Sequence, residues 1–365
     1  MAFAGTPVAD ADAEAEAEAQ QGGGTVAAPR LARHAIRLAD GHRVQVAVAG
    51  RGVPLVVVHG FTAEGFLYAQ TLSRLVSSGF KVVAIDTAGH GGTAGLSARG
   101  GDLRSYAALL ARTVDHLGIR HAVFAGHSMG GRIVTELVAR EPKRAMAVVL
   151  LDAIVGDTWD AMVNTFRVAP VIMGMAGTVL AIDTVTTMPF FRNPAQATKL
   201  ARLWVPGLLG NARHPWHVAG AAISILRSGP TRWMLESLRD HHVHVLVIHG
   251  DRDVAVPLRT AREAARRSRG QLVVVHGAGH SWLLKDPETL PSIVAEQLSG
   301  GLGLAVRKGL TTAGVSFGEP SIEEIEAALY RRRALVHELT PPLEFDVVEG
   351  VRRALPRYRW TTTTP

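Results

Sequence analysis

Cysteine is absent from the 365 residues, which excludes disulfides, thiolate metal ligands and a cysteine nucleophile and leaves stability to packing. Aromatic residues are scarce at 5%, and the arginines are scattered, with Arg331-Arg332-Arg333 the densest basic run. A chain without a concentrated basic patch and stacking residues is not expected to bind nucleic acid. The longest charge-free apolar stretch, Val168 to Ile182, falls short of the roughly 20 residues that cross a bilayer. No basic start runs into an apolar core and a small-residue cleavage site, so no signal peptide is expected and a cytoplasmic setting is. What the chain does have is 47% apolar residues, enough for a sizeable core. Its formal net charge of +7 coexists with a stretch, Asp10 to Glu18, whose charges are all acidic. The correspondingly basic remainder would suit anionic lipid, which keeps peripheral membrane contact open.

Residues 1–28 alternate Ala with Asp or Glu and end in Gly22-Gly23-Gly24, a composition expected to form a disordered tail. From His34 to Val48, two alternating stretches flank Asp40-Gly41, a dipeptide suited to a tight hairpin turn. Short apolar runs then recur with helical segments between them: Leu55–Val58, Val82–Ile85, Ala122–Ala125, Ala147–Leu151, Val243–Ile248 and Leu272–Val275. Uninterrupted Val, Ile and Leu runs separated by helices predict an α/β fold, a mostly parallel doubly wound sheet buried on both faces. The predicted core comprises residues 29–153 and 240–300, interrupted by a helical cap at 154–239 that is rich in Met, Trp, Leu and Pro. Residues 301–365 form an extension in which Ser321 and Glu324 have the spacing of a capping box, and its purpose is not legible.

The chemistry centres on Gly126-His127-Ser128-Met129-Gly130-Gly131, which follows a buried strand and precedes a helical run from Arg132 to Arg140. A serine at a sharp strand-to-helix turn is presented above the sheet, and small residues two positions either side allow strand and helix to meet. Ser128 is therefore the candidate nucleophile. The Met129 N–H, at a helix start, is a candidate oxyanion donor. Phe61 N–H, in His59-Gly60-Phe61-Thr62 after the first parallel strand, is the second; ordinary packing is the alternative for His59 and Phe61. Serine needs a base, and of sixteen histidines His280 is best placed, in the loop Gly277-Ala278-Gly279-His280 between the last predicted strand and a helix over Pro287–Leu298. His127 is expected to support the turn. For the acid that orients the base, Asp253 in Gly250-Asp251-Arg252-Asp253 is preferred. Chain order also admits Asp251, and Asp152 at the end of an earlier strand, as the acid; otherwise Asp251 is expected to form the turn and Asp152 to cap the chain entering the insertion.

Together these motifs, with Asp86-Thr87-Ala88-Gly89-His90-Gly91, resemble the α/β-hydrolase superfamily over about residues 34–300. Within it the Gly-His-Ser-Met-Gly-Gly form is similar to capped serine esterases and monoacylglycerol-lipase-like enzymes, so the resemblance implies a small-molecule ester substrate, an acyl-enzyme and no metal or organic cofactor. It also implies a mainly structural role for Asp86 and His90. Met162, Met173, Met175, Leu180 and Pro189-Phe190-Phe191 suggest an apolar acyl pocket, the alternative being that they simply pack the cap. The same triad would also serve acyl transfer, cofactor-free perhydrolase or haloperoxidase chemistry, or C–C bond hydrolysis. A non-catalytic binding protein on the same fold is the reading from another class.

Overall fold

Residues 31–61, 68–96, 101–187, 215–315, 318–341 and 355–363 are described by a computed structural model of the chain. The expected acidic tail, Thr62 and Pro189-Phe190-Phe191 lie outside them. Every residue of β3 (Val53–Val58), β4 (Phe80–Ile85) and β5 (Ala122–His127) is buried, which requires cover on both faces of the sheet. With β1 (Ala32–Arg37), β2 (Arg43–Ala49), β6 (Ala145–Leu151), β7 (His244–Gly250), β8 (Gln271–Val275) and β9 (Trp360–Thr363) they form one nine-stranded sheet. Its order is β1-β2-β4-β3-β5-β6-β7-β8-β9. Every pairing from β4 through β8 is parallel. The β1–β2 pair is antiparallel, with the turn at Asp40-Gly41 and Gly41 at φ 82°. The α/β architecture read from the apolar runs is the one the chain adopts.

Helices α1 (Ala69–Val76) and α2 (Leu103–Leu117) follow β3 and β4. Asp102 caps α2 by accepting from the Ser105 N–H at 3.2 Å, and Gly118 ends it with φ 79°. Helix α3 (Met129–Arg140) is buried at every residue from Met129 to Ala139, packed on β3, β5 and β6. Between β6 and β7 run α4 (Asp157–Val168), α5 (Pro170–Thr187), α6 (Pro215–Arg227) and α7 (Arg232–Asp240). Of these, α7 buries Met234, Leu235 and Leu238 against α3 and β7. The remaining core helices are α8 (Leu258–Ser268), α9 (Trp282–Lys285) and α10 (Thr289–Leu298). None of the helices among the described residues is long and apolar enough to cross a membrane.

The C-terminal segment is joined to the sheet at several points. Helix α11 (Gly301–Thr312) packs on β6 and β7, and β9 covers the outer edge of β8 as an antiparallel partner. Edge strands with unpaired backbone groups invite unwanted pairing, and β9 removes one such edge from β8. Helix α12 (Ile322–Leu329) starts at the capping box of Ser321 and Glu324, and α13 (Leu335–Leu339) follows. The buried Lys81 ammonium on β4 lies 3.1 Å from Glu326 Oε1 and 2.7 Å from His337 Nδ1. Tyr330, 1% exposed, donates its hydroxyl to the Gly52 carbonyl at 2.9 Å.

Tyr330→Phe leaves the Gly52 carbonyl short of that donor and should cost about 1–3 kcal/mol. Tyr330→Ala adds a cavity and should cost about 3–5 kcal/mol, the range for buried aromatic truncation. Denaturant unfolding should show a lowered midpoint in that order; unchanged midpoints for both would mean that this segment is not part of the cooperative core.

Candidate active site

At the β5–α3 junction Ser128 has φ 52° and ψ −116°, a left-handed conformation that L-residues avoid and that must be held by its surroundings. The holding groups are identifiable. Ser128 N–H donates to the Leu151 carbonyl at 2.9 Å, while its carbonyl accepts from Arg132 and Ile154 N–H, each at 3.3 Å. A Cβ on Gly126 would stand 2.4 Å from the Gly130 carbonyl carbon, and one on Gly130 would stand 2.1 Å from the Val58 oxygen. Small residues two positions either side of the serine are thus a steric requirement.

The loop after β3 comes up against this turn, since a Cβ on Gly60 would be 3.1 Å from Ser128 Cβ. His59 fixes the loop's orientation. Its Nε2 accepts from Thr87 N–H at 2.9 Å, so Nδ1 carries the hydrogen and donates to the Gly60 carbonyl at 2.8 Å. Burial lowers the His59 pKa to about 4, consistent with this neutral tautomer. In a trans peptide the next N–H points opposite to that carbonyl, so the hold on Gly60 also sets the direction of the Phe61 N–H. Phe61 itself is half-buried against the core, and Met129, fully buried, opens α3.

His280 is 3% exposed, and its Nδ1 lies 2.7 Å from Asp253 Oδ2. A carboxylate accepts, so Nδ1 bears the hydrogen and Nε2 keeps the lone pair. Asp253 is fixed through its other oxygen, which accepts from Ala255 N–H at 2.9 Å and Val256 N–H at 2.7 Å. Burial pulls the His280 pKa down, but the Asp253 charge and hydrogen bond outweigh it and leave the group raised to about 9. Burial likewise opposes ionisation of Asp253, and the His280 charge overcomes it, holding the carboxyl below its ordinary value.

The other aspartates are placed differently. Asp251 accepts from Gly277 N–H at 2.7 Å and pairs with His276 at 3.0 Å, making a surface turn. Asp152 does not cap the chain entering the insertion, as the sequence had suggested. Its φ of 44° turns the carboxyl back toward β7, where it accepts from Gly250 N–H at 2.8 Å and Trp282 Nε1–H at 2.7 Å.

His127 supports the turn. Its Nε2–H donates to the His280 carbonyl at 3.1 Å, so Nδ1 accepts from the Tyr68 hydroxyl at 3.0 Å. The His127 and His280 rings are 4.9 Å apart, which ties the histidine loop to the serine turn. Burial, with the His280 charge, lowers the His127 pKa to about 3. Helix α5 reaches the same loop, where Asp183 Oδ2 accepts from Ser281 N–H at 2.9 Å. Of the apolar side chains expected around an acyl pocket, Met162 and Met173 are half-buried and Met175 is 64% exposed, while the Leu180 side chain lies outside the described residues. The sequence reading missed Tyr68, Asp183, His249 and Trp282. Only His249, next to Gly250-x-x-Asp253, and Trp282, two residues after His280, had a positional signal.

The profile of the alpha/beta hydrolase family matches residues 55–290. A protein from Mycobacterium phage D29 named as a putative non-heme haloperoxidase is 34% identical over 291 residues, covering 78% of this chain and all (100%) of that one. A bifunctional esterase/perhydrolase from Acinetobacter calcoaceticus is 26% identical over 263 residues, with 66% of this chain and 90% of that one covered. Among solved structures, a thermophilic esterase from Thermogutta terrifontis has a TM-score of 0.57 at 24% identity, covering 73% of this chain and 98% of that one. An esterase from Exiguobacterium antarcticum has a TM-score of 0.58 at 19% identity, covering 73% and 99%. The structural likenesses share the fold.

The packing at the turn makes a direct prediction. Gly130→Ala drives a methyl into backbone that cannot move aside, so it should cost at least the ~1–3 kcal/mol of ordinary overpacking. Thermal unfolding of this variant beside Gly174→Ala, where an added Cβ meets nothing within 4 Å, measures the difference. Equal melting temperatures would show that strand and helix are not in close contact here.

Proposed function

The chain belongs to the alpha/beta hydrolase family, and from that we propose that it is a serine hydrolase acting on carboxylic esters, with Ser128 as nucleophile, His280 as base and Asp253 as orienting acid. The observation that carries this reading is the 2.7 Å bond from His280 Nδ1 to Asp253 Oδ2, which leaves Nε2 as the acceptor in a ring packed beside the serine turn. Ser128 Oγ attacks the ester carbonyl carbon as His280 Nε2 takes its proton. The negative charge that develops on the carbonyl oxygen is met by the Phe61 and Met129 N–H groups, donors held by backbone geometry before the reaction begins. His280 then returns the proton to the leaving alcohol, leaving an acyl-enzyme. Water, deprotonated by His280, releases the acid. The helices of segment 154–239 act as the cap, with an apolar acyl group as the preferred substrate part. A second reading has hydrogen peroxide replacing water at the acyl-enzyme to give a peracid, and it is favoured by the relatives named haloperoxidase and esterase/perhydrolase.

Three single changes separate the candidate acids. Asp253→Asn removes the charge that stabilises the imidazolium and should lower kcat by about 10⁴-fold, as in other triads. Asp251→Asn and Asp152→Asn should lower it by no more than about tenfold. Ester hydrolysis by the three variants, over a series of acyl chain lengths, measures this. A mild Asp253→Asn with a crippled Asp152→Asn would move the acid to the earlier strand, and no turnover of any ester by the unaltered chain would sink the reading.

The raised His280 pKa has a kinetic consequence. Only the neutral imidazole accepts the serine proton, so kcat/KM for a non-ionising ester should rise with pH through a limb above the ordinary 6.5 and toward about 9. A limb at or below 6.5 would mean that no ionised carboxylate supports the base.

A further inference from the structure

Two fully buried ionisable groups behind the proposed triad have no part in the mechanism so far: Asp152 and His249, each 0% exposed. The His249 ring has a carboxylate on either side. Its Nε2 is 3.6 Å from Asp253 Oδ2, and its Nδ1 is 3.7 Å from Asp152 Oδ1. With His280 this makes an alternating row of acid, histidine, acid, histidine. The ligand-type atoms of Asp152, His249 and Asp253 lie within 4.8 Å of one another. Different ring nitrogens face the two carboxylates, however, so a single ion cannot draw on both approaches, and the oxygens already accept protein N–H groups.

The partners settle where one hydrogen sits. His249 Nε2 is 2.8 Å from the Val256 carbonyl, which can only accept, so Nε2 carries a hydrogen. In a neutral ring Nδ1 then offers a lone pair, and it faces the lone pairs of an ionised Asp152. Nδ1 is buried with no hydrogen-bond partner among the described residues. A buried polar atom left this way is costly and calls for an explanation. One proton between the two atoms removes the conflict, as N–H···O or O–H···N, once the gap closes by less than about 1 Å. It also answers a second problem, because two carboxylates in one dry pocket do not both stay charged without a compensating proton or cation.

We propose that Asp152 and His249 share one proton, so that the pair is neutral and Asp253 is the carboxylate whose charge acts on His280. His249 is on this account a positioning residue that works through Asp253. Its Nε2–H braces the Val256 carbonyl, and the Val256 N–H in turn donates to Asp253 Oδ1. The groups facing the row from the surrounding elements are Gly250 N–H and Trp282 Nε1–H on Asp152, Tyr68 near Asp152, and Asp183 and His127 around His280. Burial raises the Asp152 pKa, the direction that favours a proton kept close to it.

The kinetic arm of the test rests on the serine hydrolase reading, and the spectroscopic arm does not. The full chain is labelled with ¹⁵N at histidine, and the His249 ring signals are identified by their loss in His249→Gln. Across neutral pH, Nδ1 should report a nitrogen that bears or accepts a hydrogen. A bare lone-pair nitrogen throughout would overturn the proposal, and this result needs neither turnover nor a second folded variant. In Asp152→Asn a neutral pair loses its proton together with its charge, so the limb of kcat/KM set by His280 should stay where it is. An unshared Asp152 charge would instead be lost, and the limb would fall by about one pH unit or more, which also overturns the proposal. Absence of any ester turnover would count against the hydrolase reading alone, with the nitrogen signal still deciding the proton. Asn is a suitable replacement because it tolerates the left-handed backbone of position 152.

Discussion

Gly126 and Gly130 meet across the β5–α3 turn with no room for one more carbon atom, and this close approach is the constraint on which the rest of the site depends. It forces the residue between them, Ser128, into a left-handed conformation and opens α3 at Met129. Such a conformation costs on the order of 1–3 kcal/mol and persists only when neighbours over-determine it. Here both backbone groups of Ser128 are engaged with Leu151, Arg132 and Ile154. Those bonds also draw in the end of β6, so the turn at Asp152 and the turn at Ser128 are held by one another.

The histidines around this turn share burial but differ in what they face. His59 and His127 each accept a hydrogen at one nitrogen and donate to a carbonyl from the other, and burial keeps both neutral. They act as fixed struts, one orienting the Gly60 peptide and one tying the His280 loop to the serine. His280 is the one among them whose hydrogen goes to a carboxylate, which makes its free nitrogen basic. A buried imidazole becomes a base or a brace according to the partner of its N–H.

The central strands were legible because full burial on both faces leaves an uninterrupted Val, Ile and Leu run, and the observed strands differ from those runs by only one or two residues at either end. The turn around Ser128 was legible because its glycines answer a local steric demand. The choice among Asp152, Asp251 and Asp253 was less so, since all three stand near strand ends, and what separates them is contact across the sheet with His280, Trp282 and His276. The C-terminal segment was opaque for the same reason. Tyr330 finds Gly52, and Trp360–Thr363 finds β8, only after the chain has folded back over most of its length. Even so, the capping box at Ser321 could be read, because its partners are three residues apart.

Covalent capture of the nucleophile tests the central claim most directly. The chain is treated with a fluorophosphonate, digested, and the modified peptide is identified by mass spectrometry. The account predicts a single adduct on the serine of Gly126-His127-Ser128-Met129-Gly130, lost in Ser128→Ala and slowed by orders of magnitude in His280→Gln, with both variants folded by circular dichroism. An adduct at another residue, or ester hydrolysis that survives Ser128→Ala at its original rate, would contradict it.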